Sequence, residues 1–281
     1  MTVAAVVLYY RHWPGILTTI ERLSDEPLVD HLILVDNCSQ DGAAARLHDA
    51  FPQTEIIMTD RNMGYAGGMN VGLARAQELG VDTTILLTHE TVLLDGALQG
   101  LIDLLDARPG VVLAGPVLED PRTGRVFSWG GALTTRGLPE HLPSPLLEGT
   151  PYSVSWLDGA CLAVRNAFIA QHEILFSEDY FLYCEDVQFG HDVTRLGGQI
   201  LIDPRCRALQ QTNGMPPYYA ARNTPRVVYR VTGSRRLAAY SITMQMSQAL
   251  RDCLRGRSAS GRARLRGVRD LARGRTGPSR S

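Results

Sequence analysis

The amino-acid sequence predicts an α/β protein with a mainly parallel, Rossmann-like sheet flanked by helices. Three observations carry this prediction. Short apolar runs at Val3–Tyr9, His31–Asp36, Glu55–Met58, Thr83–Leu87 and Val111–Ala114 suit strands covered on both faces. Stretches of helical length and spacing separate them, which is the pattern of βαβ units. With 281 residues, 44% hydrophobic and 20% charged, the chain can build one large domain with a buried core.

The elements follow in order. Val3–Tyr9 reads as a first strand; its apolar run is short, without the basic leader and cleavage site of an export signal. Pro14 opens a helical stretch, where its fixed φ and missing N–H are tolerated. His31–Asp36 is the second strand, and Ser39 and Asp41 are candidate caps for a helix running to about Ala50. After the third strand, Gly64–Gly68 reads as a glycine-rich turn before an Ala-rich helix ending near Gly80. Thr83–Leu87 is the fourth strand, Leu94–Ala107 repeats apolar residues at helical spacing, and Val111–Ala114 is the fifth strand. Beyond residue 120 the rhythm changes. Residues 120–150 read as a hairpin and a surface loop, and 152–165 as a strand-like run broken at Asp158-Gly159. Residues 185–196 form one helix, and 218–250 are mainly helical.

Composition narrows the class. All 28 basic residues are arginine, which with the abundant Ala and Gly reads as the coding bias of a GC-rich genome. The net charge of −1 predicts no polyanionic partner for the chain as a whole. The charge is segregated, however. Residues 251–281 hold ten arginines and two aspartates, which leaves the remainder at −9. Such a tail is expected to be disordered, either simply solvated or drawn to anionic lipid; a nucleic-acid partner is not expected. Cys38, Cys161, Cys184, Cys206 and Cys253 are scattered without a CxxC pair, which argues for buried thiols in a reducing cytosol. No run approaches the length of a transmembrane helix. The expected location is cytoplasmic, with the periphery of the inner membrane as the alternative.

Four polar constellations could carry chemistry. Asp36, at the end of the second strand, stands where parallel sheets bind ligands and could accept from a pyrimidine N–H or a ribose hydroxyl; Ser39 beside it could simply cap the next helix. The glycines of Asn62–Gly72 could bring backbone N–H groups to a phosphate, or form an ordinary turn. Thr88-His89-Glu90 follows the fourth strand and offers a carboxylate for a divalent metal, or a solvated loop. Glu185-Asp186 opens a helix, where acids are common for dipole reasons, but one of the pair could act as a general base with the flanking aromatics as a wall.

The order and spacing of these motifs say more than any one of them. Val35-Asp-Asn-x-Ser-x-Asp-Gly42 is followed by Asn62-x-Gly-Tyr-Ala-Gly-Gly-x-Asn-x-Gly72 and then by the tripeptide ending in Glu90. Trp156-x-Asp-Gly-Ala160, Phe181-Leu-Tyr-x-Glu-Asp186 and Tyr218-Tyr-Ala-Ala-Arg-Asn223 complete the series. It resembles the family 2 glycosyltransferases, particularly their rhamnosyltransferase-like branch, over about residues 3–225. The resemblance implies the A-type glycosyltransferase fold. It implies a nucleotide-binding half over 1–118, an acceptor-binding half over 119–250, and the basic tail from 251.

The resemblance also assigns roles. Tyr9, Asp36, Asn37, Gly67, Gly68 and Asn70 fall on the donor side, together with Thr88 and His89. Trp156, Asp158, Gly159 and Tyr183 fall on the acceptor side. Asp186, with Glu185 beside it, matches the catalytic base of inverting members. Thr88-His89-Glu90 stands where the family has Asp-x-Asp, so Glu90 is the remaining metal ligand. Gln210-Gln211 occupies the region of another usual ligand, a histidine. The implied site for Mg or Mn is therefore weak.

The implied enzyme is an inverting transferase. It moves a sugar from a dTDP- or UDP-linked donor to a hydroxyl of a cell-surface glycan or secondary metabolite. The degenerate metal motif supports a rival reading, a non-catalytic nucleotide-sugar-binding homologue that assists a partner enzyme.

Overall fold

The computed structural model describes residues 1–279. In chain order the strands are β1 (Val3–Tyr9), β2 (His31–Asp36), β3 (Glu55–Met58), β4 (Thr83–Thr88), β5 (Val92–Leu93), β6 (Val111–Asp120), β7 (Arg125–Ser128), β8 (Gly131–Leu133), β9 (Pro139–His141), β10 (Tyr152–Ser153), β11 (Cys161–Arg165) and β12 (Gln199–Leu209). The helices are α1 (Ile16–Ser24), α2 (Ala43–Ala50), α3 (Gly64–Glu78), α4 (Ala97–Ala107), α5 (Asn166–His172), α6 (Glu185–Arg195), α7 (Pro217–Thr232), α8 (Arg235–Leu254) and α9 (Ser258–Ala272).

The main sheet runs β10-β12-β6-β11-β4-β1-β2-β3, so residues on both sides of 118 share one sheet. Strands β3, β2, β1 and β4 are parallel. The expected mainly parallel sheet is mixed beyond β4, because β11 inserts antiparallel between β4 and β6. Alternation along β1 shows why its residues are all apolar. Val3, Ala5, Val7 and Tyr9 join the core under α1, α2 and α4, while Ala4, Val6 and Leu8 join the core under α3, α5 and α6.

Four elements differ from the sequence expectation. Gly64–Gly68 is the first turn of α3, not a loop ahead of it. Strand β12 was not expected; Pro204 interrupts its apolar run, and the ladder shifts register between Asp203 and Arg207. Helix breaks at Gly233, whose φ of 66° ends α7 and begins α8. The tail expected to be disordered from Arg251 is helical in α8 and α9 and packs back onto α7. Gly267 touches α7 so closely that a Cβ would lie 2.4 Å from the Tyr218 carbonyl oxygen. The last two residues of that expected tail lie outside the described residues.

Candidate active site

Parallel register sets the geometry of the site. Tyr9 pairs with Asp36 and Leu8 with Thr88, so β1, β2 and β4 end level with one another. Their following loops therefore crowd one edge of the sheet, where α/β proteins bind ligands. Beside this edge lies a cleft of about 390 Å³. It gathers Thr88, His89, Glu90, Asp158, Gly159, Tyr183, Glu185 and Asp186 from the sequence-predicted set, with Tyr65 and Gln210 beside them.

The acidic wall comes from the start of α6. Asp186 Oδ1 accepts from Val187 N–H at 2.8 Å and Oδ2 from Gly159 N–H at 3.3 Å. Packing around the carboxyl, then the charge of Asp158, pushes its pKa up to about 6 against the ordinary 3.8, while those two N–H groups and His141 oppose the shift. Glu185 is different. It is 3% exposed, and among the described residues its Oε2 has no hydrogen-bond partner. Burial, then the charge of Asp186, holds its pKa well above the usual carboxylate range. The sequence paired the two; the structure sets them apart, with Asp186 half-buried and held by two backbone N–H groups and Glu185 buried with an unpartnered oxygen.

Asp158 is fixed from two sides, by the Ser128 hydroxyl and by His141 Nε2 at 2.8 Å. His141 was not singled out from the sequence, since it arrives on β9 from the surface hairpin. Trp156 does not face the cleft. It is 5% exposed, and its indole lies so close to Gly131 that a Cβ there would meet the ring at 1.8 Å.

The loop before α6 is held by a neighbouring helix. Phe181, Tyr183 and Cys184 all have φ between 64° and 76°, a region that non-glycine residues seldom adopt. Asn223 Nδ2 on α7 lies within 3.2 Å of the carbonyl oxygens of Tyr180, Leu182 and Tyr183. Arg222, fully buried, donates to the Tyr180 carbonyl and, from its other terminal nitrogen, to the Gly277 carbonyl. Arg226 likewise reaches the carbonyls of Asp179 and Arg275.

The opposite chemistry gathers at the ends of β1 and β4. His12 Nδ1 and His89 Nε2 lie 3.8 and 3.7 Å from Glu90 Oε1. The three donor atoms fall within 4.8 Å of one another. His89 Nδ1 lies 3.1 Å from the Leu8 carbonyl oxygen and 3.4 Å from Tyr10 N, which orients the ring with Nε2 toward Glu90. Interaction with His89 lowers the Glu90 pKa, against the effect of burial. Gln210 accepts from the hydroxyls of Thr88 and Thr91, so it does stand beside the tripeptide. His12 was missed because it lies 77 residues before His89 in sequence; the signal was its place just past the end of a strand adjacent to β4.

Several residues read as donor contacts are held by partners within the fold. Tyr9 is fully buried and its hydroxyl donates to Asp41 Oδ2 at 2.6 Å; Tyr10, half-buried, is the accessible aromatic at this strand end. Asn37 Oδ1 accepts from Met63 N–H and its Nδ2 donates to the Gly64 carbonyl, which ties the start of α3 to β2. Asp36, 3% exposed, accepts from Ser39 N–H at 2.8 Å. Gly67 and Gly68 admit close packing: an added Cβ would meet Met63 Cβ at 2.6 Å and Leu8 Cδ1 at 2.4 Å. Asn70 both donates to and accepts from the backbone of Phe176 at 2.9 Å.

Residues 4–131 match the sequence profile of glycosyl transferase family 2. An N-acetylglucosaminyl-diphospho-decaprenol L-rhamnosyltransferase of Mycobacterium tuberculosis is 26% identical over 296 residues, covering 94% of each chain. Among solved structures, GalNAc-T7 with UDP, GalNAc and Mn²⁺ superposes with a TM-score of 0.62 at 14% identity, over 83% of this chain and 48% of that one. This chain thus spans about half the length of GalNAc-T7. TarS 1–349 of S. aureus with UDP-GlcNAc gives 0.59 at 13% identity, over 98% and 81% of the two chains. The mannosyltransferase PcManGT of Pyrobaculum calidifontis with GDP-Man and Mn²⁺ gives 0.58 at 14%, over 96% and 86%. At these identities the structures establish the fold, which is the A-type glycosyltransferase fold.

Proposed function

We propose that this chain, a glycosyltransferase carrying a family 2 domain over residues 4–131, inverts the anomeric centre of a nucleoside-diphosphate sugar as it transfers it to a lipid-linked glycan. The observation that carries the reading is Asp186, a partly exposed carboxyl in the cleft wall with its pKa lifted to about 6. An acceptor hydroxyl loses its proton to Asp186 as its oxygen bonds to the anomeric carbon. The carbon–oxygen bond to the diphosphate breaks on the opposite face, and the nucleoside diphosphate departs. Positioning and charge stabilisation do most of the work. The M. tuberculosis relative, by name an L-rhamnosyltransferase, supports a deoxysugar donor and an acceptor carrying a polyprenyl diphosphate; the preference for a dTDP link over UDP rests on the resemblance of the Ala-Gly-Gly-x-Asn stretch.

Two of the fold relatives hold Mn²⁺. The residues here fit such an ion. Bonds of about 2.0–2.2 Å to a metal put neighbouring donors roughly 3–3.5 Å apart, so the donor atoms of His12, His89 and Glu90, at 3.7 and 3.8 Å to the carboxylate and within 4.8 Å overall, would close on an ion by small side-chain movements. The ion would neutralise the departing diphosphate. Two imidazoles and one carboxylate favour Mn²⁺ and later transition metals over Mg²⁺. The cluster weakens the case for a decayed binding protein, which rested on the altered Asp-x-Asp.

The reading is tested with dTDP-rhamnose, UDP-N-acetylglucosamine and a polyprenyl-diphosphate-linked N-acetylglucosamine acceptor. Release of nucleoside diphosphate, with a product of inverted anomeric configuration by NMR, is expected. Donor binding without turnover under any metal would leave the binding-protein reading in its place. For the cluster, isothermal titration should show Mn²⁺ bound more tightly than Mg²⁺, and His12→Ala should weaken Mn²⁺ by about 10-fold or more.

A further inference from the structure

Residues 217–279 contain two acids, Asp252 and Asp270, and the fold turns both inward. Asp252 is 3% exposed and is held by Arg257 at 2.9 Å and Arg264 at 3.1 Å. Asp270 is 4% exposed and is held by the Tyr218 hydroxyl at 3.0 Å and Arg275 at 3.1 Å. The outward faces of α8 and α9 therefore carry no carboxylate of their own. On α9, Arg262, Arg266 and Arg269 recur at helical spacing around Leu265 and line a shallow concavity of about 540 Å³. On α8, Met246, Leu250 and Leu254 project outward, the last two 63% and 79% exposed. Arg255 and Arg257 stand at the turn joining the two helices.

A soluble surface seldom strips its acids inward while turning large apolar side chains outward among arginines. Both features match one partner, a bilayer with anionic headgroups. Arginines meet phosphate in fork geometry, and leucines just beyond enter the acyl boundary. No described helix is long and apolar enough to cross a membrane, so the contact is interfacial. We propose that the outward faces of α8 and α9 seat this chain on an anionic lipid surface, with Leu250 and Leu254 dipping below the headgroups. The proposal deepens the reading of a lipid-linked acceptor and rests on it for its purpose. Its test uses no transfer reaction, so the two stand or fall separately.

The test is sedimentation of the full chain with phosphatidylcholine vesicles, with and without phosphatidylglycerol, at low and high salt. Binding is expected to the mixed vesicles and to fall with salt. Charge reversal of Arg262 and Arg266 to Glu, which leaves Arg269 in place beside the buried Asp270, should lower the partition coefficient by roughly 30-fold. Leu250→Ser with Leu254→Ser should remove the part that survives high salt. Circular dichroism melting should be unchanged in both variants, since these side chains are exposed. Equal sedimentation of the arginine variant and the parent overturns the proposal. So does binding of a single-stranded RNA probe, by fluorescence anisotropy, at salt concentrations where mixed vesicles no longer bind.

Discussion

Asp186 and Glu185 are adjacent in sequence and opposite in circumstance. Both line the cleft and both are raised by burial, but Asp186 is half-buried with its pKa at about 6, whereas Glu185 is 3% exposed. Asp186→Asn should lower kcat by about 10²–10⁴ with donor affinity unchanged, whereas Glu185→Gln should stay within a few-fold of the parent. Steady-state kinetics with donor binding measured separately checks both. The reactive form of Asp186 is the carboxylate, so kcat/KM should rise as pH increases through about 6 and then level off. The same shift has a cost for folding. A pKa above its unfolded value of 3.8 means that the ionised group destabilises the native state, fully above pH 6 and progressively less as pH falls toward that unfolded value. Asp186→Asn should therefore melt above the parent near neutral pH, and the gap should close on acidification. The carboxylate pair, Asp158 and Glu90 were legible in the sequence because short motifs keep them together. His12 and His141 were not, because only the sheet and the β8–β9 hairpin bring them in. Tyr9 and Asn70 were legible as motif positions, but their burial and pairing were not.

At the scale of elements, α3 shows how a motif serves packing before it serves a ligand. Gly68 and Gly72 let the helix lie directly on β1. A Cβ at Gly72 would meet Val6 Cγ1 at 2.2 Å, and Val6 is fully buried against a strand that cannot retreat. Gly72→Ala should destabilise the chain by about 1–3 kcal/mol despite its better helix propensity, as urea denaturation would report. A glycine-rich turn and a glycine-rich helix face look alike in sequence; only the distance to β1 separates them. Strand β12 was hidden for a related reason. Its apolar residues are split by Asp203-Pro204, and the sheet absorbs the break as a register shift. Helices α8 and α9 were hidden by composition. Arginine-rich, glycine-containing sequence counts as solvent-seeking, yet Gly261 and Gly267 allow backbone contact and the two aspartates absorb charge from within.

At the scale of the whole molecule, α9 belongs to the transferase and is not an appendage. Ending the chain at Leu250 would strip Tyr218 of Asp270 and the buried Arg222 of the Gly277 carbonyl. Each orphaned polar group costs about 1–3 kcal/mol, so the shortened chain should melt well below the parent and lose activity even on a soluble acceptor. Unchanged melting would return the segment to the status of a tail. The arginines of α7 also have a wider consequence. Arg222 and Arg226 each hold the loop leading to Asp186 with one nitrogen and the 275–277 segment behind α9 with another. Two binding events that act on one shared bridge are bound by reciprocity. Whatever factor a bilayer under α9 applies to donor affinity, bound donor must apply to bilayer affinity. Vesicle titrations with and without saturating donor nucleotide, set against donor titrations with and without vesicles, should return the same ratio. Arg222→Lys, which shortens the bridge, should bring that ratio toward one.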